Sequence, residues 1–322
     1  MDQLQKFLFE GLPVRGMLVR LEDGWRDLLA RRQPAQGGAG EFPPAVRGLL
    51  GEMTAAAALM QASIRFEGRL ILQIMGDGPV KLAVAECGSD MSFRATAKVV
   101  GEVAPGATLE AMLNVHGQGR CAITLDPQER QPGQQPYQGV VPLHGDQREP
   151  LQHVAQVLEH YMLQSEQLDT RLVLAADDRV AAGLLIQRLP VEGQGNLGGP
   201  RNEDEIGLNE AFNRIAHLAA TLSRDELLRL EPAGVLHRLF WQESVRVFEP
   251  SPLRFACTCS RARVGGMLRG LGRAEVDEVL AERGDVEVGC EFCGAQYRFD
   301  AVDVGGLFTP TADQLPGSAA VN

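Results

Sequence analysis

Aromatic side chains are scarce. Two Trp, three Tyr and twelve Phe make up 5% of the 322 residues, so a core of this size has to be mostly aliphatic. No apolar run approaches the ~18 residues of a membrane-spanning helix, and no membrane partner is expected. Positive charge is in deficit: 31 Lys and Arg stand against 42 Asp and Glu, a net charge of −11. A nucleic-acid protein needs a basic footprint to displace counterions, so no nucleic-acid partner is expected either. Such a charge suits a chain kept apart from its own copies. The segment Met1–Glu10 has no basic leader, long apolar core or small-residue cleavage site, and is not read as a secretory signal. The expected location is cytoplasmic, where thiols stay reduced and clustered cysteines are more often metal ligands or redox sensors than structural disulfides.

Catalytic motifs are also missing. The six histidines show no metalloprotease spacing, and neither a nucleophile elbow nor a kinase set occurs. Gly76-Asp77-Gly78 lacks the Gly-Lys-Ser/Thr of a phosphate loop and reads as a hairpin turn. The expectation is a protein that is not an enzyme.

What is present is a cysteine cluster. Four of six cysteines fall within 37 positions, as Cys257-Thr-Cys259, thirty intervening residues, and Cys290-Glu-Phe-Cys293. Two close pairs can converge on one zinc ion, each thiolate about 2.3 Å away. The second pair has the usual zinc-knuckle spacing; the first, with one residue between its sulfurs, does not, and two local disulfides are the alternative. Arg254, Arg261 and Arg263 lie close in sequence, and nearby cations lower thiol pKa. Gly265-Gly266 and Gly270 are expected to loosen the loop between the pairs. Cys87 and Cys121 sit beside apolar strand patterns and read as inert buried thiols.

Periodicity gives an α+β chain rather than repeated βαβ units. Strands are expected at Val14–Arg20, around Phe66–Ile74, at Val80–Val84, Ser92–Val100 and Cys121–Leu125. A helix is expected at Pro44–Met60 and another through Leu151, Val154, Leu158 and Tyr161. Thr170–Ala176 and Ala181–Gln187 form a hairpin around Asp177-Asp178. Gln33–Glu41, rich in Gly and Ala, reads as a loose surface loop. The glycine-rich stretch 192–200 is the best boundary. Beyond it an apolar stripe runs through Leu208, Phe212, Ile215, Leu218 and Leu222. A capping box, Ser223-Arg-Asp-Glu226, then opens a helix carrying Leu227 and Leu228. The spacing continues through Leu236, Leu239, Phe240 and Val245.

These residues resemble one family, the Hsp33 redox-regulated molecular chaperones of bacteria. The resemblance runs over roughly 10–302. Its segments are Gly76–Glu86, Tyr137–Leu143, Gln164–Thr170, Ala182–Pro190, Phe255–Ser260, Cys290–Cys293 and Tyr297–Asp300. It implies an N-terminal α+β domain (1–195), a metastable helical linker (196–252) and a small C-terminal zinc domain (253–302); the small and polar residues of 303–322, a departure from the family, read as a flexible tail. It carries one zinc ion onto Cys257, Cys259, Cys290 and Cys293. It also implies disulfides Cys257–Cys259 and Cys290–Cys293 on oxidation. The implied function is an ATP-independent holdase that binds unfolding proteins under oxidative stress and dimerises when activated. Leu208, Phe212, Ile215, Leu218, Leu222, Leu227 and Leu228 are the expected client-binding residues. Two other readings are a thiol–disulfide oxidoreductase working through Cys290 and Cys293, and a zinc ribbon that binds nucleic acid.

Overall fold

The computed structural model describes residues 1–32, 40–129, 135–190 and 203–309. They fall into two compact units. The first comprises Met1–Ala30 with Phe42–Ala256; the second, the described parts of Arg31–Glu41 and Cys257–Asn322.

The first unit holds two six-stranded sheets. One contains β1 (Gln3–Phe9), β2 (Val14–Leu21), β8 (Thr170–Ala176) and β9 (Ala181–Arg188), with short β10 (Val245–Val247) and β11 (Ser251–Pro252) paired to β1. The other contains β3 (Gly68–Met75), β4 (Val80–Gly88), β5 (Ser92–Val99), β6 (Arg120–Pro127), β7 (Tyr137–Pro142) and β12 (Arg254–Phe255). Pairing is antiparallel except for β12 on β5. Three smaller helices accompany the sheets: α1 (Asp23–Ala30), α3 (Leu109–Leu113) and α4 (Val154–Ser165).

Helix α2 (Pro44–Ser63) packs on strands of both sheets. It is buried on nearly every side, as a helix apolar all round must be. Its run Ala55–Ala58 keeps it thin, and a Cβ at Gly51 would lie 2.3 Å from the Ala176 Cβ. Leu70, Leu72 and Ile74 of β3 meet Met17, Val19 and Leu185 of the other sheet in this shared core.

The β1–β2–β9–β8 sheet is buried on its second face as well. Helices α5 (Glu203–Ala220), α6 (Arg224–Arg229) and α7 (Pro232–Phe240) cover it. Phe7, Phe9 and Phe240 cluster there, with ring centroids 5.0–6.1 Å apart. The capping box at α6 forms as the sequence indicates: Ser223 Oγ accepts from the Glu226 N–H, and the Glu226 carboxylate accepts from the Ser223 N–H. Helical spacing stops earlier than expected. Trp241–Ser244 turn the chain, and Val245 starts β10 instead of extending the helix. The segment 253–256 also differs from its expected place: β12 pairs with Ser92 and Phe93, so the first unit runs to Ala256. The boundary stretch 192–200 and most of Gln33–Glu41 lie outside the described residues.

One carboxylate in the first unit is out of place. Burial pushes Glu52 of α2 from its ordinary 4.5 up to about 7, with only Arg224 pulling it down. A pKa raised on folding means that the folded state holds its proton longer than the unfolded one. Stability is therefore full below about pH 4.5 and falls as pH rises towards 7. Glu52→Gln is expected to gain up to about 3 kcal/mol at about pH 8, and much less at about pH 4.5. Denaturant midpoints at the two pH values check this; equal gains at both would refute it.

The second unit contains α8 (Arg261–Leu271), α9 (Arg273–Arg283), the hairpin β13 (Val286–Gly289) and β14 (Gln296–Phe299), and α10 (Ala301–Phe308). Its core is small: Leu268, Val276, Val286, Phe299 and Val304. The link between the cysteine pairs is helical, not the glycine-loosened loop expected. Ser260 caps α8 by accepting from the Arg263 N–H. Gly265 lies inside that helix, where a Cβ would meet Leu307 of α10 at 2.8 Å. The expected tail from 303 likewise begins as α10, held by a reciprocal Asp300–Asp303 capping box and by buried Val304; residues 310–322 lie outside those described. Among the described residues no helix is long and apolar enough to cross a membrane.

Candidate metal centre and the covered apolar face

Two local structures bring four sulfurs together. Cys257 and Cys259 lie on irregular chain just before α8. Cys290 and Cys293 lie in the tight turn joining β13 to β14. There the Cys290 N–H donates to the Ala295 carbonyl, and the Gly294 N–H donates back to the Cys290 carbonyl, both at 2.8 Å. The turn needs a residue at φ +71°, which glycine supplies at 294. The hairpin thus folds Cys290-Glu-Phe-Cys293 so that both sulfurs point the same way.

Cys257 Sγ lies 3.6 Å from Cys290 Sγ, and Cys259 Sγ lies 3.3 Å from Cys293 Sγ. All four are within 4.8 Å of one another. Sulfurs about 2.3 Å from one tetrahedral zinc stand about 3.8 Å apart, so the donor set fits this ion in type and spacing. No other such group of His, Cys, Asp or Glu occurs among the described residues.

The surroundings favour thiolates only in the presence of a cation. Burial pushes the Cys290 thiol up, offset by the N–H groups of Cys293 and Phe292 directed at its sulfur. Burial pushes Cys293 up as well, against one N–H from Ala295. Tyr297 of β14 donates its hydroxyl to Cys259 Sγ at 3.1 Å, a contact that raises its own pKa. Four thiolates this close repel each other, and a divalent ion between them removes that penalty. The neighbouring arginines do not play the expected part. Arg254 pairs with Asp90. Arg261 pairs with Asp303, donates to the Arg298 carbonyl and lies 4.3 Å over the Phe299 ring.

Cys87 on β4 and Cys121 on β6 are fully buried, and burial pushes each up to about 12. They are inert at neutral pH. Cys290 and Cys293 are not at a helix N-terminus, the setting that activates a Cys-x-x-Cys pair for thiol–disulfide exchange.

The apolar stripe expected to bind clients is covered. Phe212, Ile215, Leu222 and Leu227 are buried, and Leu218 and Leu228 are half-buried. They pack on Phe7, Phe9, Leu18, Leu184 and Ile186 of the sheet. The side chain of Leu208 lies outside those described.

A second residue at this seam escaped the sequence reading. Arg20, at the end of β2, has a side chain only 7% exposed. Its Nη1 donates among the carbonyls of Leu227, Leu228 and Leu230 at 3.4, 2.9 and 3.3 Å, where α6 ends. Its Nε pairs with Glu22 at 2.8 Å. The one available signal was a charged residue closing a strand otherwise buried on both faces.

Comparison with known proteins matches the chain along nearly its whole length. The sequence profile of a family described as Hsp33 protein matches residues 2–300. A 33 kDa chaperonin of Chromobacterium violaceum is 47% identical over 307 residues, 95% of this chain and 94% of that protein. A 33 kDa chaperonin of Methylobacillus flagellatus is 42% identical over 318 residues, 98% of this chain and 97% of that one. The crystal structure of the 33 kDa chaperonin of Thermotoga maritima superposes with a TM-score of 0.73 at 21% identity, covering 95% and 98% of the two chains. At that identity the likeness is one of fold.

Proposed function

The chain belongs to the Hsp33 family of chaperones, and from that premise we propose that it is a cytoplasmic, ATP-independent holdase switched on by oxidation of its four clustered cysteines. Cys257, Cys259, Cys290 and Cys293 would hold one zinc ion, which when bound contributes about 10–16 kcal/mol of apparent folding free energy in small metal domains. A unit whose core is five buried residues depends on such a term.

Oxidation consumes the donors. Cys257 with Cys259, and Cys290 with Cys293, each give up two electrons as the two thiolates join in a disulfide. One hypochlorous acid per disulfide takes those electrons and a proton from solvent and leaves as chloride and water. A disulfide across Cys257-Thr-Cys259 closes too small a ring to restrain the unfolded chain. The second unit then unfolds, freeing the chain beyond Ala256. The first elements released from the first unit are β10, β11 and β12, each of two or three residues. Helices α7, α6 and α5 follow.

The observation that carries this reading is that the stripe and the sheet face beneath it are both apolar. Undocking therefore uncovers two sticky surfaces at once, enough to hold an unfolding client or a second copy of the chain. The protein acts by binding, without turnover.

The test is paired. Zinc is followed with a chromophoric chelator during hypochlorite treatment, and each sample is assayed for suppressing aggregation of a heat-denatured client. About one zinc per chain is expected to appear as the thiols are lost, with suppression confined to the oxidised sample. Zinc retention after thiol loss, or equal suppression by both samples, would sink the proposal.

A further inference from the structure

A slot of about 290 Å³ lies in the first unit, close to the C-terminal end of α2. Much of its wall is apolar: Met60 of α2 and Ile64 just beyond it, Leu70 of β3, Ile123 of β6, and Met162 of α4. The volume is at the lower end of small-molecule sites, about 300–1,000 Å³.

One end of the slot is polar and built. Arg15, Gln187 and Thr170 stand directly opposite one another across β2, β9 and β8. Gln187 is 1% exposed. Its Nε2 donates to Thr170 Oγ1 at 3.0 Å, which fixes the amide so that its Oε1 faces Arg15. That oxygen accepts from both Nε and Nη2 of Arg15. The guanidinium is thereby held by one edge, and Nη1 has no acceptor among the described residues. Arg15 also has no carboxylate partner among them. Glu166, the acidic residue in the wall, is engaged instead by the hydroxyls of Tyr161 at 2.6 Å and Tyr137 at 3.2 Å. Burial lowers the Arg15 pKa; burial first, and then the nearby charge of Arg15, lowers that of Lys6.

A half-buried cation on a rigid polar row, opening on an apolar slot, suits an anion with an apolar tail. The free edge of a guanidinium matches a carboxylate. We propose that this slot binds an amphiphilic monocarboxylate, of the fatty-acid class, with the carboxylate on Arg15 and a tail of roughly ten carbons among Leu70, Ile123 and Met162 (about ten water-sized volumes of ~30 Å³ fill the slot). The site uses none of the cysteines, so it is present in the reduced protein.

The test is calorimetric titration of the reduced full-length chain with decanoate and with decanol. Decanoate is expected to bind saturably, one per chain, and at least about tenfold more tightly than decanol. Arg15→Met keeps the stem and should lose at least about tenfold for decanoate but little for decanol. Ile64 is 38% exposed at the rim, so Ile64→Trp can block the slot without disturbing the core and should abolish both. Equal affinity for the two probes, or decanoate binding unchanged in either variant, overturns the proposal. So does an apolar peptide that displaces decanoate with higher affinity through its free C-terminal carboxylate, since the slot would then be a peptide site.

Discussion

Cys290→Ser is expected to unfold the second unit, undock α5–α7 and leave α2 and strands β1–β9 of the first unit folded. Serine keeps the size of the side chain and removes one of four thiolate donors. The unit has five fully buried apolar residues, and helices and a hairpin of four to eleven residues, too short to persist alone. Most of the roughly 10–16 kcal/mol from metal ligation would be lost with the site's geometry. Limited trypsin digestion followed by mass spectrometry reads this directly. Cleavage at Arg269, Arg273 and Arg283 should rise by about two orders of magnitude or more, while Arg15 and Arg94 stay protected. Adding a zinc chelator to the native chain should give the same pattern. If the variant keeps native protection in α8 and α9, the metal is dispensable to the unit and the switch proposed above fails.

Arg20→Met should undock the helices without any oxidant. Methionine preserves the apolar stem but leaves the carbonyls of Leu227, Leu228 and Leu230 without their donor and Glu22 without its guanidinium partner. Breaking a buried charged cluster from one side costs about 3–5 kcal/mol. The loss falls on the contact between β2 and the end of α6. Amide exchange in Glu210–Val247 should accelerate by two orders of magnitude or more, with exchange in β3–β6 unchanged. The reduced variant should also suppress client aggregation, which the reduced native chain should not. Accelerated exchange without suppression would separate undocking from client binding and refute the role given to the stripe; unchanged exchange would refute the role given to Arg20.

Much of this was legible in the chain because the signals are local. The β3–β4 hairpin follows from Leu70, Leu72 and Ile74 on one parity and a glycine-flanked turn. The β8–β9 hairpin follows from two apolar runs around Asp177-Asp178. Ser223 and Glu226 announce α6, and the cysteine spacing announces the site. What escaped has several causes, the first of them burial on two sides. In the β1–β2–β9–β8 sheet, Leu4 faces one core and Phe7 and Phe9 the other. Alternation between apolar and polar then disappears, and Gln3–Phe9 gave no strand signal. The short strands β10–β12 exist through pairing with distant residues, which no local pattern encodes. In α8, Gly265, of a residue type that usually breaks helices, sits where α10 comes close. The Tyr297 hydroxyl on Cys259 joins positions far apart in the chain, and only the folded hairpin reveals it.

The two halves of the cysteine site sit at opposite ends of the α8–α9 module, with thirty residues between Cys259 and Cys290. A chain leaving the ribosome therefore presents a complete N-terminal unit before its final two sulfurs have been made. Domains fold in that order during synthesis. Under the proposed switch, every newborn copy would pass through a stage equivalent to the activated form, with its adhesive face unguarded, and would become quiescent only when Cys293 emerges and metal is captured. Zinc supply would then set how long each new molecule stays adhesive, and starvation for the metal would mimic oxidative stress without any oxidant.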